Sequence, residues 1–170
     1  MLSKMADVNK SDLNTLTGIL SKDAFIVLVK TEWNAGIVDE LERGAIHKLK
    51  EPGVKKIITV TVPGAVEIPF AIKTYWEHSK EKKKKRPDAF VALGCVIRGG
   101  TPHFDYVCKA VTDGVVQLNL LLPVPTIFGV LTVDNEDQAK ERIGGAHGHK
   151  GEEAALTAVK MIFLSQSLKK

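Results

Sequence analysis

Ala89-Phe90-Val91-Ala92-Leu93-Gly94-Cys95-Val96 carries no charge and runs straight into Ile97-Arg98-Gly99-Gly100-Thr101-Pro102-His103-Phe104-Asp105. A short continuous apolar run of this kind reads as a strand buried on both faces. The next segment, Phe104 to Leu121, repeats apolar residues at Val107, Val111, Val115 and Leu118 and is stopped by Pro123, which reads as a helix. Between them lies a glycine-rich turn with exposed backbone N–H groups, a hydroxyl and an imidazole at a helix start. Such a turn is suited to holding an anion and moving a proton.

The same alternation extends in both directions. Ala24-Phe25-Ile26-Val27-Leu28-Val29 is a first buried strand, and Asn34 to Lys50 places Ile37, Val38, Leu41, Ala45 and Leu49 on one helical stripe before Pro52-Gly53. Ile57-Ile58-Thr59-Val60-Thr61-Val62 is a second strand, ended by Pro63-Gly64. A helix follows from about Val66, with Pro69 tolerable in its first turn. Thr126-Ile127-Phe128-Gly129-Val130-Leu131-Thr132 is the fourth strand, and its pattern puts Phe128 in the core. Asp134 or Asn135 can cap a short helix reaching Ile143, stopped by Gly144-Gly145. A last helix, Glu152 to Leu168, carries Ala155, Val159, Ile162 and Phe163 as its buried stripe.

Four strand–helix repeats predict a three-layer α/β/α sandwich with a parallel sheet and right-handed crossovers. In such sheets ligands bind beyond the carboxyl ends of the strands, where the winding reverses. At 170 residues the expectation is a single catalytic domain over 23–170, preceded by a flexible N-terminal arm over 1–22. No apolar run reaches the roughly 18 residues that span a bilayer, and the arm lacks a secretory leader's layout.

The net charge of +4 is local. Much of it sits in Lys82-Lys83-Lys84-Lys85-Arg86 and Lys169-Lys170, with no interleaved aromatics to stack bases, so neither a nucleic acid nor a membrane is the expected partner. Cys95 and Cys108 form neither a disulfide framework nor a zinc pattern. Reduced thiols in a cytoplasmic protein are the reading.

Each candidate group has a plain structural alternative. Gly99-Gly100-Thr101 can cradle a phosphate, or merely turn a strand into a helix. It matches neither the dinucleotide fingerprint nor a P-loop. His103 can relay a proton or be structural. Trp33 can stack on a planar ring or plug the sheet end. Glu67 can accept hydrogen bonds from a heterocycle or simply favour its helix dipole. Arg142 can clamp a phosphate or suit a helix end. Lys150 lies with His147-Gly148-His149 in a flexible stretch, and two histidines without a third ligand do not make a metal site.

Taken together, Glu32-Trp33-Asn34, Val62 to Pro69, Val96 to Asp105, Ile127 to Thr132, and Glu141-Arg142 through Lys150-Gly151 resemble the lumazine synthase family over Ala24 to Ile162. The resemblance implies a flavodoxin-like fold with strand order 2-1-3-4. It also implies condensation of 5-amino-6-(D-ribitylamino)uracil with 3,4-dihydroxy-2-butanone 4-phosphate to give 6,7-dimethyl-8-ribityllumazine, phosphate and water. These two small-molecule substrates would need no metal and no organic cofactor.

Carried over by position, Trp33 would stack on the pyrimidine. Ala65, Val66, Glu67, Cys95, Val96 and Ile97 would line the uracil and ribityl site beside Asn34. Gly100, Thr101 and Arg142 would hold the phosphate, His103 would move protons, and Lys150 would approach the ribityl or phosphate region. The resemblance also moves Phe128 from the core to a neighbouring subunit's site, because the family's sites form between protomers of a homopentamer. It leaves open a 60-subunit shell, with riboflavin synthase as a candidate partner. The Lys80 to Arg86 connection is longer than usual and has no assigned role.

Two other readings stand beside this one. A carrier of the same fold would keep the pocket without turnover, but would not need His103, Thr101 and Arg142 together. A flavodoxin-like FMN binder would end its first strand in a Ser/Thr-rich phosphate loop, whereas this chain has Thr31-Glu32-Trp33-Asn34.

Overall fold

Alternate residues of the first strand, β1 (Phe25–Thr31), enter two different cores. Ile26 and Leu28 join one, while Phe25, Val27 and Val29 join the other. A strand with this burial must have helices on both faces. In the computed structural model, which describes residues 23–82 and 85–169, it does. The expected N-terminal arm, together with Lys83 and Lys84, lies outside the described residues.

The chain continues through α1 (Ala35–Lys50), β2 (Lys56–Val62), a 3-10 turn at Ala65–Glu67, α2 (Ile68–Glu81), β3 (Ala89–Ile97), α3 (His103–Leu121) and β4 (Thr126–Val133). It closes with α4 (Glu136–Lys140), a hairpin of β5 (Ile143–Gly145) and β6 (Gly148–His149), and α5 (Lys150–Ser167). The main sheet has the order β2-β1-β3-β4 and all its pairings are parallel. This is the expected α/β/α sandwich of flavodoxin-like order.

One layer is α1 and α5. Val38, Leu41, Ala45 and Leu49 meet Ala155, Ala158, Val159 and Ile162 over the faces of β1, β3 and β4. The other is α2 and α3, whose Ile68, Ile72, Val111, Val115 and Leu118 cover Phe25, Phe90 and Ala92. α1 and α5 approach closely because two glycines permit it. A Cβ on Gly151 would stand 2.1 Å from the Leu41 carbonyl oxygen, and one on Gly44 would stand 2.1 Å from the His149 ring. His149 fills the gap that Gly44 leaves and caps α5, its Nδ1 accepting from the Glu152 N–H at 3.4 Å.

Four expectations change. The short helix ends at Lys140, and Ile143 pairs with His149 in the antiparallel hairpin instead of closing α4. The stretch expected to be flexible is therefore an ordered hairpin, turned at Gly144 and Gly148 with φ of 113° and 75°. Lys150 opens α5. Phe163 is exposed, because Ala158, Val159 and Ile162 already supply the buried face. Phe128 is 40% exposed: β4 is an edge strand, and none of the described residues covers that part of its face.

Candidate active site

The sheet winds outward in both directions from β1 and β3, so its switch point lies beyond the carboxyl ends of those two strands. A cavity of about 480 Å³ opens there, within the range that holds a small ligand. After β1 it is lined by Thr31, Trp33 and Asn34, and after β2 by Gly64, Ala65, Val66 and Glu67. The end of β3 and its turn contribute Cys95, Val96, Ile97, Gly99 and Thr101, and α3 contributes His103, Phe104 and Val107.

Local structure explains how these groups are presented. The Glu32 N–H donates to the Val62 carbonyl at 2.9 Å, fastening the segment before Trp33 to the end of β2. The indole is 73% exposed and forms cavity wall, so it does not plug the sheet end. Asn34 has φ 57° and donates its side-chain amide to the Cys95 carbonyl at 2.8 Å. It is therefore a tie across the cavity as well as part of the wall. The Ala65–Glu67 turn leaves Val66 and Glu67 exposed while burying Ala65. Burial, and secondarily the charge of Glu136, pushes the Cys95 thiol up to about 11. At neutral pH it is a neutral wall group and no nucleophile. His103 is the first residue of α3 and is exposed toward the cavity.

Ten of the expected site residues thus share one cavity: Trp33, Asn34, Ala65, Val66, Glu67, Cys95, Val96, Ile97, Thr101 and His103. Four do not. Gly100 belongs to the same turn without forming its wall, and Arg142 stands at the end of α4, donating from Nη1 to the Gln138 carbonyl at 2.8 Å. Phe128 and Lys150 line a second cavity of about 460 Å³ between edge strand β4 and α5. Lys150 there is paired with Glu153 at 2.8 Å. One copy of the chain does not bring Phe128 or Lys150 to Trp33.

The cavity wall also includes Thr31, Gly64, Gly99, Phe104 and Val107. The first three lie at or just past the ends of β1, β2 and β3, where strand order leads one to expect a ligand, and Gly99 is part of the turn expected to cradle a phosphate. Phe104 had no signal beyond lying in the turn motif. Val107 was assigned to the buried stripe of α3, yet at four residues after His103 it shares that residue's face.

Fold and cavity together define a class: a flavodoxin-like α/β protein with a cavity of small-molecule size at the switch point, presenting an aromatic plate, a carboxylate, a hydroxyl and an imidazole. The chain belongs to the 6,7-dimethyl-8-ribityllumazine synthase family, whose model matches residues 23–166. Similar proteins include the 6,7-dimethyl-8-ribityllumazine synthase of Parabacteroides distasonis, 41% identical over 97% of this chain and 99% of the relative. That of Porphyromonas gingivalis is 46% identical over 93% and 96%. That of Bdellovibrio bacteriovorus is 48% identical over 83% and 75%. Among the described residues no helix is long and apolar enough to cross a membrane.

Proposed function

We propose that this protein is an enzyme that condenses 5-amino-6-(D-ribitylamino)uracil with 3,4-dihydroxy-2-butanone 4-phosphate to give 6,7-dimethyl-8-ribityllumazine, phosphate and water. The observation that carries the reading is the switch-point cavity, where Trp33, Glu67, Thr101 and His103 converge. The amine nucleophile is already on the pyrimidine. The protein therefore needs no nucleophile of its own, and the neutral Cys95 thiol fits that role.

Trp33 stacks on the pyrimidine ring and Glu67 accepts from its polar edge, while Ala65, Val66, Val96 and Ile97 exclude water from its faces. Thr101, the Gly100 backbone and Arg142 hold the phosphate. His103, between the two substrates, takes a proton from the attacking amine and supplies one as water leaves the carbinolamine. Loss of a proton from the hydroxyl-bearing carbon then expels phosphate, the resulting enol becomes a ketone, and the ribitylamino nitrogen adds to that carbonyl and closes the ring as a second water leaves. Holding two reactants together is worth up to ~10⁵–10⁸ M in effective concentration, and proton relay typically adds ~10²–10⁴-fold. Positioning is the larger share.

The 23–170 unit acts as the catalytic domain, and a second copy completes its site with Phe128 and Lys150. Two features support this: the separate cavity that holds those residues, and the exposure of Phe70, Tyr106, Val116, Leu120 and Leu121, an apolar surface that suits subunit contact. A homopentamer is the assembly proposed, with riboflavin synthase as a candidate partner. The two free thiols suit a cytoplasmic location. A carrier of the same fold is the second reading. Inorganic phosphate release separates the two: an enzyme frees one phosphate per lumazine only when both substrates are present, whereas a carrier binds lumazine and frees none.

A further inference from the structure

His149 lines neither cavity and its side chain is only 9% exposed, so it is not placed to touch substrate. It nevertheless stands beside two cations that the proposed chemistry uses. It immediately precedes Lys150 and pairs across the hairpin with Ile143, the residue after Arg142. The Lys150 N–H donates to the Arg142 carbonyl at 2.8 Å. Arg142 and Lys150 are thus joined, main chain to main chain, at the base of the β5–β6 hairpin.

The imidazole is fixed from three sides. On α1, a Cβ at Gly44 would stand 2.1 Å from ring Cε1, 2.5 Å from Nε2 and 2.6 Å from Nδ1, so the ring lies directly on the helix backbone. Its Nε2 is 3.3 Å from Glu40 Oε1 on the same helix. On α5, its Nδ1 accepts from the Glu152 N–H at 3.4 Å. On the hairpin, its Cδ2 lies 3.9 Å from where a Gly144 Cβ would be.

These partners also set the tautomer. A neutral imidazole whose Nδ1 accepts carries its proton on Nε2, which then donates to the Glu40 carboxylate. Arg43, opposed by burial and aided by His149, holds that carboxyl below its usual range, so Glu40 is an acceptor at neutral pH. The hairpin itself is short, three residues paired with two, and has little packing of its own. Ile143 packs on the α1–α5 core, but apolar burial has no direction. The two hydrogen bonds of His149 do.

We propose that His149 is a positioning residue, wedged between α1, α5 and the hairpin, that sets Arg142 and Lys150 as one unit for the switch-point cavity of a neighbouring copy. The inference rests on the proposed function, in which Arg142 holds the phosphate and Lys150 completes a second copy's site. Arg142 lines no wall of its own chain's switch-point cavity, and its bond to Lys150 carries it across the same subunit boundary. A misplacement of about 1 Å can cost as much as ~100-fold, so a pin of this kind matters without meeting substrate.

The test is steady-state kinetics on the intact protein with each substrate varied in turn. His149→Asn keeps an acceptor for the Glu152 N–H, asparagine being a good helix cap, but removes the ring from Gly44 and the bond to Glu40. It is expected to raise KM for the phosphate substrate about tenfold and KM for the pyrimidine less than about twofold. Glu40→Ala, which leaves the ring and the cap in place, is expected to move the same KM in the same direction by less. If His149 acts through Arg142, the double variant His149→Asn/Arg142→Ala has the phosphate KM of Arg142→Ala alone. Effects that multiply in the double variant, or equal movement of both KM values in His149→Asn, overturn the proposal. Calorimetric titration of inorganic phosphate gives a readout independent of turnover. About tenfold weaker binding in His149→Asn supports the pin, and unchanged affinity overturns it. A wild type that binds phosphate but makes no lumazine would contradict the functional reading alone.

Discussion

Asn34 donates its side-chain amide to the main-chain carbonyl of Cys95 across 2.8 Å, from a backbone held at φ 57°. That bond ties the turn leaving β1 to the end of β3, so Trp33 and the Cys95–Ile97 wall are held as one unit. Asparagine suits the place because its short amide tolerates the left-handed region better than most side chains do.

Replacing Asn34 separates those two contributions. Asn34→Ala loses the hydrogen bond and keeps the unfavourable backbone, and is expected to cost about 2 kcal/mol. Asn34→Gly loses only the bond and is expected to cost about half of that. Urea midpoints at constant slope measure both. Equal losses would mean that the left-handed conformation carries no strain here.

The α1–α5 contact makes a sharper stability prediction. At Gly151 an added Cβ would press on the Leu41 backbone, with its carbonyl oxygen at 2.1 Å and carbon at 2.8 Å, and neither can rotate away. Gly151→Ala is expected to cost about 3 kcal/mol. Gly36, also helical, has nothing within 4 Å, and Gly36→Ala should stabilise by about 0.5–1 kcal/mol. Opposite shifts in thermal midpoint are the expected pair. A Gly151→Ala protein that melts with the wild type would refute the packing.

The Cys95 thiol, raised to about 11 by burial and then by Glu136, gives a pH dependence. Because the folded value lies above the unfolded one, the unfolded chain loses its proton first. The contribution is therefore complete below about pH 8.5 and is lost as pH rises toward 11. Burial raises Tyr75 as well, with the same sign, so the informative quantity is the difference between wild type and Cys95→Ala. That difference should shrink between pH 9 and 11, and a constant gap would argue against a buried thiol. With iodoacetamide near neutral pH, half-buried Cys108 should react before Cys95.

Phe128 separates stability from assembly. Its side chain is exposed in the single chain, so Phe128→Ala should cost less than about 1 kcal/mol of unfolding stability. If a second copy uses it, lumazine formation should fall at least about tenfold while His103 and Trp33 remain in place. Light scattering supplies the companion measurement. An active species at the monomer mass of 18.5 kDa would remove the shared site.

The central strands were legible because β1 and β3 are buried on both faces, and that burial leaves an unbroken apolar run. The turns after them were legible as cavity wall because strand order alone opens a crevice there. Phe128 was misread because an apolar strand carries no mark of standing at the sheet edge. The β5–β6 hairpin was missed because Gly144 and Gly148 look like a helix stop, while their positive φ serves a tight turn. His149, in the sequence one of two histidines without a third ligand, acquired meaning only when Glu40 and Gly44 of α1 closed on it.

The most direct measurement is the rate at which the lumazine chromophore appears when the protein meets both substrates, set against the same mixture without protein. Formation is expected well above the spontaneous rate, greatly slowed in His103→Ala but still above background, and in Arg142→Ala recovered only at higher concentrations of the phosphate substrate. A wild-type rate equal to the protein-free rate would contradict it.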